Sequence, residues 1–299
     1  MSEIPVLSIV IAVKDATKNL PAIFDALHDI PPDVEILLCV AGRLDQATPA
    51  GLRAIVLTAP DRTLVPLLWR DGIVQSRSRR VAITTAQCIP TPGWIARART
   101  ADVDQWAGTG GAIANDQAAS ATNWAIFFLR YNSVAHPITA GETEEIAADN
   151  AVYDRDAIVA HPDLLADGFW EPSFHRRFRA SGRKLVLDPG LVVIHHGLVS
   201  ARDFTLQRHA HGRAFGIERG GRIGRAATTG LMLCSPILPA LMLVRIISRV
   251  FAMPTYRTQL LRALPWLIWF TLAWVSGEAL GYAASLVRSA GQGGALGHG

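Results

Sequence analysis

The stretch VAITTAQCIPTPGW, Val81 to Trp94, sets the reading of the whole chain. Val81, Ala82 and Ile83 predict a short buried strand. A polar turn follows, and Pro90 and Pro92 break the chain before a helix headed by Gly93 and Trp94. In an open α/β sheet, ligands bind at the turns beyond the carboxyl ends of the strands. Thr85, Ala86 and Gln87 occupy that turn here.

The segments before it predict the sheet that such a turn requires. Val6 to Val13 (VLSIVIAV) is a nearly unbroken apolar run, as in a central strand covered on both faces. Asn19 to His28 predicts a helix with Leu20, Ile23, Phe24 and Leu27 on one side, ended by Pro31-Pro32. Val34 to Val40 is a second strand and Arg53 to Leu57 a third. Short loops between these units predict a parallel, Rossmann-like sheet. Thr63 to Arg80 predicts a helix or helix-loop carrying Arg70, Arg77, Arg79 and Arg80.

This layout resembles the family-2 glycosyltransferases of the GT-A fold. In that family the strand corresponding to Val81–Ile83 ends in an Asp-x-Asp turn, often followed by Cys-x-Pro and Gly-Trp. Here Cys88, Pro90, Gly93 and Trp94 are present, but Thr85, Ala86 and Gln87 stand in the acidic slot. The first two strands of the family end in turns that hold the nucleotide. Their counterparts are Ala12-Val13-Lys14-Asp15-Ala16 and Val40-Ala41-Gly42-Arg43. The resemblance thus implies a donor site at Ala12, Lys14, Asp15, Gly42, Arg43, Thr85, Ala86 and Gln87. Magnesium or manganese is expected from the family, although its usual acidic ligands are missing. Arg77 and Arg79 are candidates to offset the charge of a diphosphate, since guanidinium groups bind such oxygens bidentately. Surface arginine is the competing reading of both.

Downstream, Gly108 to Ile113 (GTGGAI) has the wrong spacing for a dinucleotide fingerprint and reads as a Gly-rich strand or turn. Trp124 to Tyr131 predicts a helix under the cleft or against a membrane, and His136 to Ala147 a mobile polar loop. The Asp149-Asn150 segment resembles the family's Gly-x-Asn stretch near the acceptor; a helix cap is the alternative. Phe169 to Gly182 resembles the family's helix that begins at the general base. That resemblance implies Glu171 as the base, at the cap of a helix opened by Pro172 and closed by Gly182; a plain capping role is the alternative. Lys184 to His196 predicts two strands joined by an Asp188-Pro189-Gly190 turn. The family's His that meets the metal or the diphosphate matches His195 or His196, of which alternation turns only one inward. Phe204 to Phe215 predicts a helix presenting Arg208, His211 and Arg213 to a phosphate or lying on a membrane. Trp94, Asp149, Asn150, His195, His196, Arg208, His211 and Arg213 are the candidates on the acceptor or diphosphate side.

Composition points to a membrane. Of 299 residues, 50% are hydrophobic, and the net charge of +4 concentrates late in the chain. Arg208, Arg213, Arg219, Arg222 and Arg225 lead into an apolar run from Ala226 to Val244. A second run, Leu264 to Leu286, carries a single acid, Glu278, for which Arg245 or Arg249 is a candidate partner. A hairpin anchor, spanning or interfacial, is expected. No nucleic-acid motif accompanies the charge. Three scattered cysteines read as buried thiols in a reducing compartment, and no signal peptide is evident.

The expected organisation is a GT-A glycosyltransferase-like α/β domain over 1–215, a membrane-associated helical hairpin over 216–290 and a disordered tail over 291–299. The sheet should be mostly parallel and flanked by helices. The expected function is inverting transfer of a sugar from a nucleotide-sugar to a membrane lipid or lipid-linked acceptor. It would occur at the inner (cytoplasmic) membrane with the catalytic domain in the cytosol. The alternative is a non-catalytic pseudo-glycosyltransferase that binds partners in glycan synthesis.

Overall fold

The structure is a computed structural model that describes residues 4–14, 17–44, 52–234 and 237–294. Asp15, expected at the donor site, lies outside the described residues, as do positions 295–299. The chain divides into two compact units. The first takes Met1–Gln117 and Ser133–Leu198; the second takes Ala118–Asn132 and Val199–Gly299.

The first unit is built on one sheet. Its strands are β1 (Leu7–Val13), β2 (Val34–Ala41), β3 (Ala54–Ala59), β4 (Arg80–Thr85), β5 (Cys88–Pro90), β6 (Trp106–Asn115), β7 (Gly141–Thr143), β8 (Asn150–Asp154) and β9 (Lys184–His195). They lie in the order β3-β2-β1-β4-β8-β6-β9-β5, with β7 also beside β9. Strands β3, β2, β1 and β4 pair in parallel, as do β6 and β9. Strand β8 runs antiparallel between β4 and β6, so both groups point the same way. Their carboxyl ends therefore share one edge. Every residue of β1 is buried, the consequence of a continuous apolar strand covered on both faces.

Helices α1 (Leu20–Ala26), α2 (Val65–Gln75) and α3 (Trp94–Arg99) follow the strands that the sequence predicts for them. Leu68, Trp69 and Ile73 of α2 join the core beneath β1 and β2, and the Trp69 indole donates to the carbonyl of Thr84 at 2.9 Å. α4 (Ala121–Tyr131) belongs to the second unit. α5 (Arg155–Val159) and α6 (Pro162–Leu165) are short and lead to α7 (Glu171–Ala180), whose Phe174 and Phe178 complete the same core with Tyr153 and Phe169.

Two local expectations are corrected. Lys184–His195 is one strand, not a hairpin, because both halves pair in parallel with β6; the Asp188-Pro189-Gly190 segment is a bulge where the register shifts. The His136–Ala147 region is not all loop, since Gly141–Thr143 pairs with β9 as β7.

The second unit holds α4, α8 (Ala201–Arg222), α9 (Arg225–Cys234), α10 (Ile237–Phe251) and α11 (Arg257–Gly294). Trp124, Phe127 and Phe128 of α4 gather around Tyr256. α8 and α11 meet through glycines. A Cβ on Gly216 would lie 2.3 Å from the carbonyl oxygen of Glu278, and one on Gly281 would lie 2.3 Å from that of Arg213. Gly212 and Gly216 on α8 thus meet α11 at the turns that hold Gly277 and Gly281, at four-residue spacing, which lets the two backbones touch, while Gly220 makes room for the Ser285 side chain. Glu278 is buried in this seam. It accepts from Trp274 Nε1 at 3.1 Å and from the Tyr282 hydroxyl at 2.8 Å, in place of the expected arginine.

The segment Pro254–Val287 is long and apolar enough to cross a membrane. The earlier apolar run is divided between α9 and α10, which are inclined to each other by 55°.

Gly216→Val should force α8 away from α11. The expected loss is at least ~2 kcal/mol, as for other overpacked contacts. Thermal unfolding of the full chain followed by circular dichroism reads it, and an unchanged midpoint would contradict this packing.

Candidate active site

Six parallel strands deliver their carboxyl ends to one edge of the sheet, where most of the expected donor residues sit. Ala12 is the next-to-last residue of β1, and its carbonyl accepts the amide of Ala86 at 2.9 Å. Lys14 is half-buried just beyond. Gly42 follows β2 with φ +86°, the left-handed region that suits glycine, and Arg43 beside it is exposed. Thr85, Ala86 and Gln87 turn from β4 into β5. The Asn19 amide bridges the carbonyls of Ala86 and His196 at 2.9 and 3.0 Å, and Gln87 accepts the amide of His196 at 2.7 Å. The turn is thereby tied to the ends of β1 and β9.

His195 is fully buried, with Nδ1 3.1 Å from Asn115 Oδ1. His196 is half-buried and faces Asp116 at 3.3 Å. Alternation along β9 turns His195 inward and leaves His196 at the surface of the edge. Asn19, Asn115 and Asp116 belong to this assembly and were not anticipated. Position at a strand end is the only hint in sequence for Asn115 and Asp116; nothing in the sequence marks Asn19.

Asp149 and Glu171 meet at the same place. Strand β8 is antiparallel, so its first residue, not its last, arrives at this edge. Thr85 donates its hydroxyl to Asp149 Oδ1 at 3.2 Å, and the Thr84 hydroxyl donates to the Asp149 carbonyl at 2.8 Å. Glu171 is the first residue of α7, with Trp170 at the cap position, one place from the expectation. Its Oε1 accepts the amide of Ala148 at 2.7 Å. Burial, then the charge of Asp149, and finally that of Glu145 push the Glu171 carboxyl up to about 7 against the pull of the Ala148 amide. Thr85, Asp149 and Glu171, far apart in sequence, form one cluster.

Trp94, Asn150, Arg77 and Arg79 lie elsewhere in the first unit. Trp94 and Asn150 are inside the fold at 0% exposure. Asn150 Oδ1 accepts from Trp94 Nε1 at 2.8 Å, while Nδ2 donates to the carbonyls of Ala112 and Leu191 at 2.8 and 2.9 Å. They hold the site together from behind rather than facing an acceptor. Arg77 and Arg79 stand at the amino end of β4, about 17 Å along the strand from Thr85. Arg77 pairs with Glu35 at 2.9 Å, and Arg79 with Asp154 at 3.1 Å and Asp104 at 2.6 Å. The loop before β4 enters the sheet at its amino edge, so these arginines cannot reach the Thr85–Gln87 turn. Arg208, His211 and Arg213 are on α8 in the second unit, where the Arg208 guanidinium lies 4.3 Å over the Trp274 ring.

The residues at the turn do not fit a divalent cation. Hard cations take several carboxylate or carbonyl oxygens, whereas Thr85 and Gln87 offer neutral side chains and Ala86 none. Among the described residues, no group of three or more His, Cys, Asp or Glu could hold a metal.

No family model and no curated protein matches this sequence. Solved structures do. The mannosyltransferase PcManGT from Pyrobaculum calidifontis, in complex with GDP-Man and Mn2+, is similar with a TM-score of 0.52 and 14% identity, over 96% of this chain and 88% of that one. S. aureus TarS 1-349 is similar with a TM-score of 0.48 and 10% identity, over 96% and 91%. The first likeness establishes the expected GT-A-like α/β fold.

The raised Glu171 carboxyl has a consequence for stability. The unfolded chain releases this proton near the ordinary value of 4.5, the folded one near 7. The folded state therefore binds more protons between these values, and its stability falls as pH rises through that window. Glu171→Gln keeps the acceptor for Ala148 and has no proton to lose. It should be more stable than the native chain above pH 7, by on the order of 3 kcal/mol, with the difference fading toward pH 4. Urea titrations across that range measure it; equal pH profiles would refute the shift.

Proposed function

We propose that this chain is a membrane-anchored inverting glycosyltransferase that uses a nucleotide-sugar and takes its catalytic proton on Glu171. The observation that carries the reading is the carboxyl held near 7 beside Asp149 and the donor turn. A general base works best when its pKa lies near the operating pH. The similar mannosyltransferase is described with GDP-Man, which supports a nucleotide-sugar at the equivalent edge.

In this reading the donor lies along Ala12, Lys14, Gly42, Arg43 and the Thr85–Gln87 turn. The acceptor hydroxyl gives its proton to the Glu171 carboxylate as its oxygen forms a bond to the anomeric carbon. The bond from that carbon to the diphosphate breaks on the opposite face, and its electron pair leaves with the nucleoside diphosphate. Lys14, Arg43 and His196 are the nearby groups suited to offset the charge that develops there. Asp149 keeps Glu171 basic by repulsion and is itself held by Thr85.

The long apolar helix supports attachment to a membrane. In this reading the sheet domain faces the cytosol and the acceptor is a lipid or lipid-linked molecule. A second reading, a pseudo-transferase that binds without turnover, is favoured by the neutral Thr85–Gln87 turn.

Thermal shift and turnover assays with a panel of nucleotide-sugars, with and without Mn2+, separate the readings. The expected result is donor binding by the native chain and by Glu171→Gln, with turnover lost at least ~100-fold in the variant. The native rate should climb with pH to a plateau above about 7 as Glu171 ionises. Binding without turnover in the native chain, with lipid and soluble acceptors supplied, would favour the second reading. A stable, folded protein indifferent to every nucleotide would overturn both.

A further inference from the structure

The second unit contains a groove that the transfer reaction does not use. It has a volume of about 570 Å³ and is lined by Ala201, Arg202, Thr205 and Leu206 of α8 and by Pro265, Trp266 and Trp269 of α11. Its polar atoms are largely engaged within the wall. Trp269 Nε1 donates to Thr205 Oγ1 at 3.1 Å, and the Thr205 hydroxyl donates to the Ala201 carbonyl at 2.7 Å. The groove thus offers carbon to whatever fills it. The exception is Arg202, which is exposed and makes no ion pair among the described residues.

We infer that the groove binds one chain of an anionic glycerophospholipid, with the lipid phosphate at Arg202. Three observations favour this occupant. α11 forms most of the segment Pro254–Val287, which is long and apolar enough to cross a membrane, so its outward face would meet lipid directly. That face is apolar beyond the groove: Leu261, Ile268 and Leu272 are exposed. Finally, indole rings beside a cationic side chain suit the headgroup boundary, where an aromatic body meets acyl carbon and an arginine meets phosphate.

The inference rests on the membrane attachment proposed above, but not on sugar transfer. The test is native mass spectrometry of the detergent-purified full chain, incubated with dioleoyl phosphatidylglycerol or dioleoyl phosphatidylcholine. The native chain should retain one phosphatidylglycerol in preference to phosphatidylcholine. Ala201→Trp, which fills the groove, should abolish that retention. Arg202→Gln, an exposed substitution that leaves the packing untouched, should reduce it about fivefold, the effect of one charge near an anionic headgroup. Co-sedimentation with vesicles of equimolar phosphatidylcholine and phosphatidylglycerol should persist in Ala201→Trp, because the outer face of α11 is unchanged.

Equal retention of the two lipids by the native chain, or undiminished retention in both variants, would overturn the inference in favour of lipid held only loosely around the helix. A native dimer dissociated by Ala201→Trp would overturn it in favour of a second copy of the chain. Loss of co-sedimentation by the native chain would remove its premise, the membrane, while donor thermal shifts would still report on the sugar-nucleotide site.

Discussion

One buried side chain, Asn150, holds the candidate site in register. Its amide joins β6, β9 and α3 through three hydrogen bonds to Ala112, Leu191 and Trp94. Two of these elements belong to the sheet, and the third begins after the turn that carries Thr85–Gln87. A Cβ on Gly111 would lie 2.3 Å from Asn150 Nδ2 and 2.1 Å from the Leu191 carbonyl oxygen, so only glycine leaves room for this clamp. Buried polar groups are costly unless fully paired, and this one is paired on every side. The preceding residue, Asp149, is thereby delivered to Thr85 and Glu171.

The cluster around Glu171 works by an imbalance of charge. A carboxylate out of water is normally met by a cation or a metal. Here Glu171 receives one backbone amide and faces two further acids, so the proton is held until pH approaches 7. The turn beyond β4 is formed by Thr85, Ala86 and Gln87, and Thr85 serves to hold Asp149. The turn thus places a hydroxyl on the acid whose charge raises the Glu171 carboxyl. The folded structure carries this as stability lost when the pH rises toward 7.

The second unit is held by a different means. Where α8 and α11 cross, the absence of side chains at Gly212, Gly216, Gly277 and Gly281 brings backbone against backbone. Such contact relies on van der Waals fit rather than on burial of large apolar groups, which suits helices whose outer faces are themselves apolar. Large residues such as Leu241 and Leu261 are left 62% and 66% exposed. That outer surface, with the groove at Trp266 and Trp269, is what a lipid environment would cover.

The sequence by itself determined the parallel half of the sheet, since continuous apolar strands with short helical crossovers admit few arrangements. It also determined that the neutral turn Thr85–Gln87 would stand at the carboxyl edge of the strands, that Glu171 would lie at the start of a helix, and that the second of its two apolar runs would form a helix long enough to span. The tertiary structure alone decided what each of these meets. Strand direction put Asp149 at the site and Arg77 and Arg79 at the far edge, because β8 runs against its neighbours and β4 is entered from its amino end. Pairing of both halves of Lys184–His195 with one partner turned an apparent hairpin into a single bulged strand. The glycine spacing on α8 and α11 was present in the sequence, but which helix faced which depended on the approach of backbones distant in the chain. A pKa near 7 likewise needs burial and neighbouring charge, and neither is a property of a residue alone.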